Sequence, residues 1–202
     1  MKFENKHKLY FTSDLHLHHA NVIKHDSRPF TSVEEMNEEL IANWNKTISK
    51  DDIVFYLGDI SFGNFTKTKE SVDRLNGKIH FIMGNHDNWK IISKLDRFES
   101  VSGLMDIYVK DDEITDKKLG SYQHIVLCHY PIVSWNRQHY GAWHLFGHTH
   151  HSFYTKGNQI NDELYKRKCL DMGTNGWGYY PASYDQVKKE MSTKIIGTFH
   201  HD

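Results

Sequence analysis

Lys78-Ile79-His80-Phe81-Ile82-Met83-Gly84-Asn85-His86-Asp87 is the stretch whose reading decides the fold. The run from Lys78 to Met83 is mostly apolar and bounded by Gly77 and Gly84, which predicts a buried β-strand. A glycine, an amide, an imidazole and a carboxylate then stand in a row where that strand meets its loop. In open α/β sheets, ligands are held and chemistry is done at the carboxyl ends of the strands. Other short polar clusters follow apolar runs in the same way: Asp14-Leu15-His16, Gly58-Asp59, His129 and Gly147-His148-Thr149-His150.

Working outward towards the amino terminus, Ile53 to Leu57 predicts a buried strand that delivers Gly58-Asp59. Lys67 to Leu75 predicts a helix stopped by Asn76-Gly77. Leu9 to Thr12 predicts the first strand, with Ser13-Asp14-Leu15-His16 at its end and an irregular stretch from His18 to Ile23 beyond it. Ser32 with Glu35 fits a capping box, and Val33, Met36, Leu40, Ile41, Trp44 and Ile48 recur at helical spacing behind it. The order β, helix, β, helix, β argues for a largely parallel layer. The second half is richer in strands. Ser100 to Val109 reads as a strand region and Asp111 to Ser121 as a charged, solvated loop. Gln123 to Cys128, His144 to Phe146 and Cys169 to Met172 read as strands, and Ser183 with Gln186 caps a last helix. With no repeat and no linker, residues 1–202 read as one domain.

Composition bounds the function. The 202 residues carry 25 basic and 26 acidic side chains, so there is no global basic surplus of the kind that coats nucleic acid. No apolar run is long enough to span a bilayer. The polar stretch from Met1 to His7 leads straight into the first strand and leaves no room for a secretory leader, which predicts a cytoplasmic protein. Cys128 and Cys169 lie in apolar surroundings and read as buried, reduced thiols. The count of 16 histidines stands out, because imidazole is the commonest metal ligand. His200 and His201 at the tail are given no role.

The clusters supply carboxylates from Asp14 and Asp59, an amide oxygen from Asn85, and imidazoles from His16, His129, His148 and His150. Asp14 and His16, two apart in an extended segment, leave the chain on one side, and so do His148 and His150. Mixed N/O donors suit Mn, Fe, Ni or Zn and do not suit a structural zinc, which takes cysteines. The set is too large for one tetrahedral ion and about right for two ions sharing a carboxylate, the arrangement of two-metal phosphoester hydrolysis.

The ordered signature Asp14-x-His16, Gly58-Asp59, Gly84-Asn85-His86-Asp87, His129 and Gly147-His148-x-His150 resembles the calcineurin-like metallophosphoesterase superfamily. The context of Asn21, Arg28-Pro29-Phe30 and Asn43-Trp44-Asn45 resembles its small stand-alone bacterial and phage members. The resemblance implies an α/β fold, a two-sheet β-sandwich flanked by helices. It also implies two divalent metal ions: one on Asp14, His16 and His150, the other on Asn85, His129 and His148, with Asp59 bridging and manganese the first expectation. His86 would act at the leaving-group oxygen, and a hydroxide held between the metals would attack phosphorus in line.

The substrate expected is a small phosphodiester or nucleotide, with a phosphomonoesterase, a nuclease and a non-catalytic scaffold of the same fold as alternatives. Arg28, His19 and Asn21 are candidates for substrate contact, since arginine pairs well with phosphate. Asp87 either orients a neighbouring group or caps the helix that follows. Trp135, His139, Tyr140 and Trp143 either wall the pocket or simply pack. Oligomeric state has no signature in the sequence.

Overall fold

Period-two alternation decides which face each strand buries. A computed structural model describes residues 1–114, 120–152 and 166–197. Its strands are β1 (Lys2–Phe3), β2 (Leu9–Thr12), β3 (Ile53–Tyr56), β4 (Lys78–Ile82), β5 (Phe98–Ser102), β6 (Leu104–Lys110), β7 (Tyr122–Cys128), β8 (Trp143–Phe146), β9 (Cys169–Asp171) and β10 (Ala182–Ser183). They form two five-stranded sheets, ordered β10-β2-β3-β4-β5 and β1-β6-β7-β8-β9. In the first, β2 to β5 are parallel and only β10 runs the other way. In the second, β7, β8 and β9 are parallel, and β6 is antiparallel to β7.

The sheets pack face to face through Leu9, Phe11, Phe55 and Leu57 on one side and Ile107, Ile125, Leu127 and Leu145 on the other. The Phe11 and Phe55 rings stack there, 5.4 Å apart. The alternate residues Val54, Tyr56, Ile79 and Phe81 turn to the opposite face of the first sheet. There they meet helix α2 (Val33–Thr47), whose Leu40, Ile41 and Trp44 are buried, and Val72 of α3 (Phe65–Val72). Helices α1 (Ala20–His25), α4 (Trp89–Ile92) and α5 (Tyr184–Ser192) complete the flanks. Among the described residues no helix is long and apolar enough to cross a membrane. The expected two-sheet sandwich flanked by helices is the fold.

Several local expectations need correction. Lys2–Phe3, read as a polar lead-in, pairs in parallel with Tyr108 and Val109 at the edge of the second sheet. The stretch expected to be irregular contains α1. Ser32 caps α2 by accepting from the Glu35 amide, but the Glu35 carboxylate returns to the Thr31 amide at 2.7 Å rather than to Ser32. The capping box at Ser183 and Gln186 is complete. Ser100 to Val109 is two strands split at Gly103, and each joins a different sheet.

Asp111 is not solvated. It is buried and accepts from Lys6 (2.8 Å), Lys188 (2.6 Å) and Tyr184 (3.0 Å), tying β6 to α5 and the amino terminus. Residues 115–119 of that loop, and His200 and His201, lie outside the described residues. Cys128 and Cys169 are free and buried.

Candidate metal centre

Every ligand cluster sits at the carboxyl end of a strand: Asp14 and His16 after β2, Asp59 after β3, Asn85 after β4, His129 after β7, and His148 and His150 after β8. Backbone bonds cross-link these ends. Asp14 N donates to Gly58 O at 3.0 Å, His16 N to Asp59 O at 3.1 Å and Gly147 N to His129 O at 2.9 Å. Two glycines are there because nothing larger fits. A Cβ on Gly84 would lie 2.6 Å from Asp59 N, and one on Gly147 would lie 2.6 Å from Asp14 Oδ2.

The convergence has a different cause from the extended geometry expected. Asp14, His16, Asp59, His148 and His150 all have positive φ, between 47° and 70°. Left-handed backbone is disfavoured for residues with a Cβ and collects at functional sites. It folds each ligand segment into a tight turn, so Asp14 and His16 still reach one group, while His148 turns to Asn85 and His150 to His16.

Asp14, His16 and His150 form one group, and Asp14, Asp59 and His129 another, each with ligand atoms within 4.8 Å of one another. Asp14 belongs to both groups, and Asp59 Oδ2 of the second also approaches the first, 3.8 Å from His16 Nε2 and 3.4 Å from His129 Nε2. Asn85 Oδ1 is 2.9 Å from both His129 Nε2 and His148 Nδ1. His16 Nε2 and His150 Nε2 face each other at 2.8 Å. Adjacent ligands on an ion with bonds near 2.1 Å stand about 3 Å apart, so these edges fit shared coordination.

Electrostatics point the same way. Burial pushes the Asp14 carboxyl up to about 7 and the His16 imidazole down to about 2. Burial would lower His129 and His150 too, but their hydrogen bonds to the carboxylates of Asp59 and Asp26, and the charges of Asp14 and its neighbours, raise both. Ionised carboxylates and neutral imidazoles are the forms that bind a divalent cation. The donor set fits metal ions.

Four residues that hold the ligands in place carried little sequence signal. Asp26 Oδ2 meets His150 Nδ1 at 2.8 Å and accepts from Asn175 at 3.0 Å. Burial would raise the Asp26 carboxyl; those two bonds overcome it and hold it at about 2. This is the carboxylate–histidine pairing that fixes ring orientation at metal sites. Asp87 accepts from the amides of Asp59 (2.8 Å), Ile60 (3.0 Å) and Gly84 (2.7 Å), so it positions the Asp59 loop. Asp171 accepts from Thr149 Oγ1 and from His151 N at 2.9 Å, bracketing His150. Leu57 O meets His129 Nδ1 at 2.7 Å and so aims Nε2 into the cluster.

Arg28 does not fit the expectation of substrate contact. Its side chain is fully buried and donates to Asp14 O and Leu15 O, both at 2.8 Å. It carries the first ligand loop from below. His19 is half-buried and stacks on Phe62, 3.8 Å between ring centres and 9° between planes, and Asn21 is exposed on the first turn of α1. His86 is exposed at the rim, its ring 5.7 Å from that of His16 and its amide bonded to Asp59 Oδ1 at 2.8 Å. Trp135 and Trp143 are buried in packing, with Trp135 Nε1 bonded to Ala142 O.

Two depressions flank the ligands. One, of about 190 Å³, is lined by Phe62, Thr68, His86, Asn88 and Ile91 among others. The other, a more open groove of about 610 Å³, is lined by His25, Asp26, His148, His150 and Asn175 among others.

Comparison with known proteins agrees with this geometry. The chain is 34% identical over 196 residues to an uncharacterised protein of Methanocaldococcus jannaschii, covering 96% of this chain and 97% of that one. It is 29% identical over 190 residues to the gene 66 protein of Mycobacterium phage D29, covering 84% and 88%. The fold is similar to that of a protein of unknown function from Aquifex aeolicus, with a TM-score of 0.64 and 21% identity over 90% of this chain and 97% of that one. The family model for calcineurin-like phosphoesterases matches residues 7–168, the span that carries every ligand cluster. The chain therefore belongs to the calcineurin-like phosphoesterases, a family of metal-dependent phosphoesterases.

Proposed function

We propose that this protein is a dinuclear, metal-dependent hydrolase of small phosphodiesters, acting in the cytoplasm as one domain spanning residues 1–202. The observation that carries the reading is the place of Asp59 Oδ2, between His16 Nε2 and His129 Nε2, where one carboxylate can serve two ions. Asp14, His16 and His150 would hold one ion, and Asn85, His129 and His148 the other. Divalent ions bound there, manganese the first candidate, would neutralise phosphoryl oxygens and lower the pKa of water.

The chain's own residues do the rest. Asp87 and Gly84 lock Asp59 in position. Asp26 sets the plane of the His150 ring, and Arg28 braces Asp14 from behind. His86, exposed with its ring 5.7 Å from that of His16, would give a proton to the departing oxygen. His19 and Asn21 stand at the rim as substrate contacts. Two separate depressions, one beside His86 and one at His148 and His150, would suit a diester with its two substituents better than a monoester with one. A scaffold would have no use for competent donors at every ligand position.

The test strips the protein with a chelator, restores manganese, and follows a chromogenic phosphodiester and its matching monoester, with Asp59→Asn and His86→Ala beside the wild type. Metal-dependent diester turnover that collapses in both variants is expected. Faster monoester turnover would sink the diester preference, and a protein that binds no metal would sink the enzyme.

A further inference from the structure

The depression beside His86 differs in its side chains from the groove at His148 and His150. Its lining is mixed, with apolar Phe62, Ile91 and Ile92 beside polar Thr68, His86 and Asn88, whereas among the described residues no aliphatic or benzenoid side chain lines the other groove. Phe62 is 41% exposed, an aromatic ring open to solvent at the mouth of an active site. Its orientation is fixed. His19 stacks on it at 3.8 Å, and the His86 ring lies 4.8 Å from it. A ring held in this way loses little freedom when another ring stacks on it, which is how rigid aromatic contacts gain affinity. A volume of about 190 Å³ is below the range for a whole ligand pocket, so it suits one part of a substrate. His86 lines the same depression, which places that part next to the proton donor.

We propose that the Phe62 depression is the subsite for a planar aromatic or heteroaromatic leaving group, and that Phe62 is its specificity-determining residue. This rests on the phosphodiesterase reading above. Water adds at phosphorus, the P–O bond to the leaving group breaks, and the departing oxygen takes a proton from His86. A phosphomonoester and an aryl or base-bearing alcohol are released. The polar groove keeps the other substituent.

The test uses the manganese-loaded protein and two substrates that share a methyl substituent: methyl 4-nitrophenyl phosphate and methyl 2,2,2-trifluoroethyl phosphate. Taking each variant relative to wild type cancels their different intrinsic reactivities. Phe62→Ala is expected to lower kcat/KM for the aryl ester roughly 10-fold more than for the alkyl ester, the scale of one stacking contact. Phe62→Trp is expected to restore the difference, and Phe62→Leu to leave it lost. Equal losses on both esters would overturn the proposal and make Phe62 mere support for His86.

A binding arm needs no turnover. Phenylphosphonate is expected to bind wild type more tightly than methylphosphonate, and Phe62→Ala to abolish that preference. Preferential binding of phenylphosphonate without hydrolysis of any diester would refute the enzyme and leave the subsite standing. Hydrolysis without the binding preference would do the reverse.

Discussion

Replacing Gly84 by alanine should cripple the site through a residue that bears no functional group. The new Cβ would overlap Asp59 Oδ1 and lie 2.6 Å from Asp59 N, where ordinary contact begins at 3.4 Å. About 0.8 Å must open between two loops that the carboxylate of Asp87 clamps together, because its Oδ2 accepts from both Asp59 N and Gly84 N. Overpacking costs about 1–3 kcal/mol. Losing one of two hydrogen bonds to a carboxylate adds roughly 1–2 kcal/mol. The metal-free protein should therefore lose about 2–5 kcal/mol in urea unfolding, the sum of those two effects. Asp59 moves with its loop, and a misplacement near 1 Å costs on the order of 100-fold in turnover. Calorimetric titration with manganese should show the weaker of two binding steps lost. Gly103→Ala is the control, since no atom lies within 4 Å of its Cβ position. Wild-type stability and manganese affinity in Gly84→Ala would refute the close packing of Gly84 on Asp59.

Asp26→Ala should weaken manganese binding roughly 10- to 100-fold by freeing the His150 ring; unchanged titration isotherms would remove Asp26 from the metal centre. Arg28→Met should cost about 3 kcal/mol of stability, because two buried carbonyls lose their donors. Residual activity of that variant should keep the wild-type KM, and a large rise in KM with normal stability would return Arg28 to the substrate. Asp111 sits at about 2, below its ordinary 3.8, because bonds from Lys188 and Lys6 outweigh the rise that burial alone would cause. A depressed carboxyl contributes stability that is fully present above the unfolded value and is lost as pH falls from about 4 towards 2. Urea unfolding across that window should show wild type losing about 1–2 kcal/mol more than Asp111→Asn, discounted for the partial exposure of both lysines. Parallel curves would remove Asp111 from the acid response.

The parallel half of the fold was readable because β2, β3 and β4 are apolar runs with turn residues at fixed places, and each hands over to a polar cluster. Lys2–Phe3 was not, since two residues at a sheet edge carry no period. Ser100 to Val109 concealed a change of sheet because Gly103 interrupts the chain without altering its hydrophobic pattern. The ligand set was legible as residue types at strand ends, but its backbone was not. Left-handed φ at Asp14, His16, Asp59, His148 and His150 is dictated by the surrounding loops; aspartate and histidine are enriched in that region, but it remains uncommon for both, so residue type does not place it. Asp26 and Asp171 were hidden for a similar reason. A loop aspartate that props up a ligand has the same sequence surroundings as one that faces water. Arg28 shows the converse, a charged side chain that pairs with Asp26 at 3.4 Å and otherwise donates to backbone carbonyls that no residue type announces.

The left-handed ligand turns have a consequence for redesign. Glycine at any of those five positions would relieve backbone strain of about 1–2 kcal/mol and delete a metal-binding group in the same step. A thermostability screen run without metal would thus be led first to the candidate metal ligands. Selection for robustness and selection for chemistry pull against each other at the same codons, so improved variants should be sought only with the ions present.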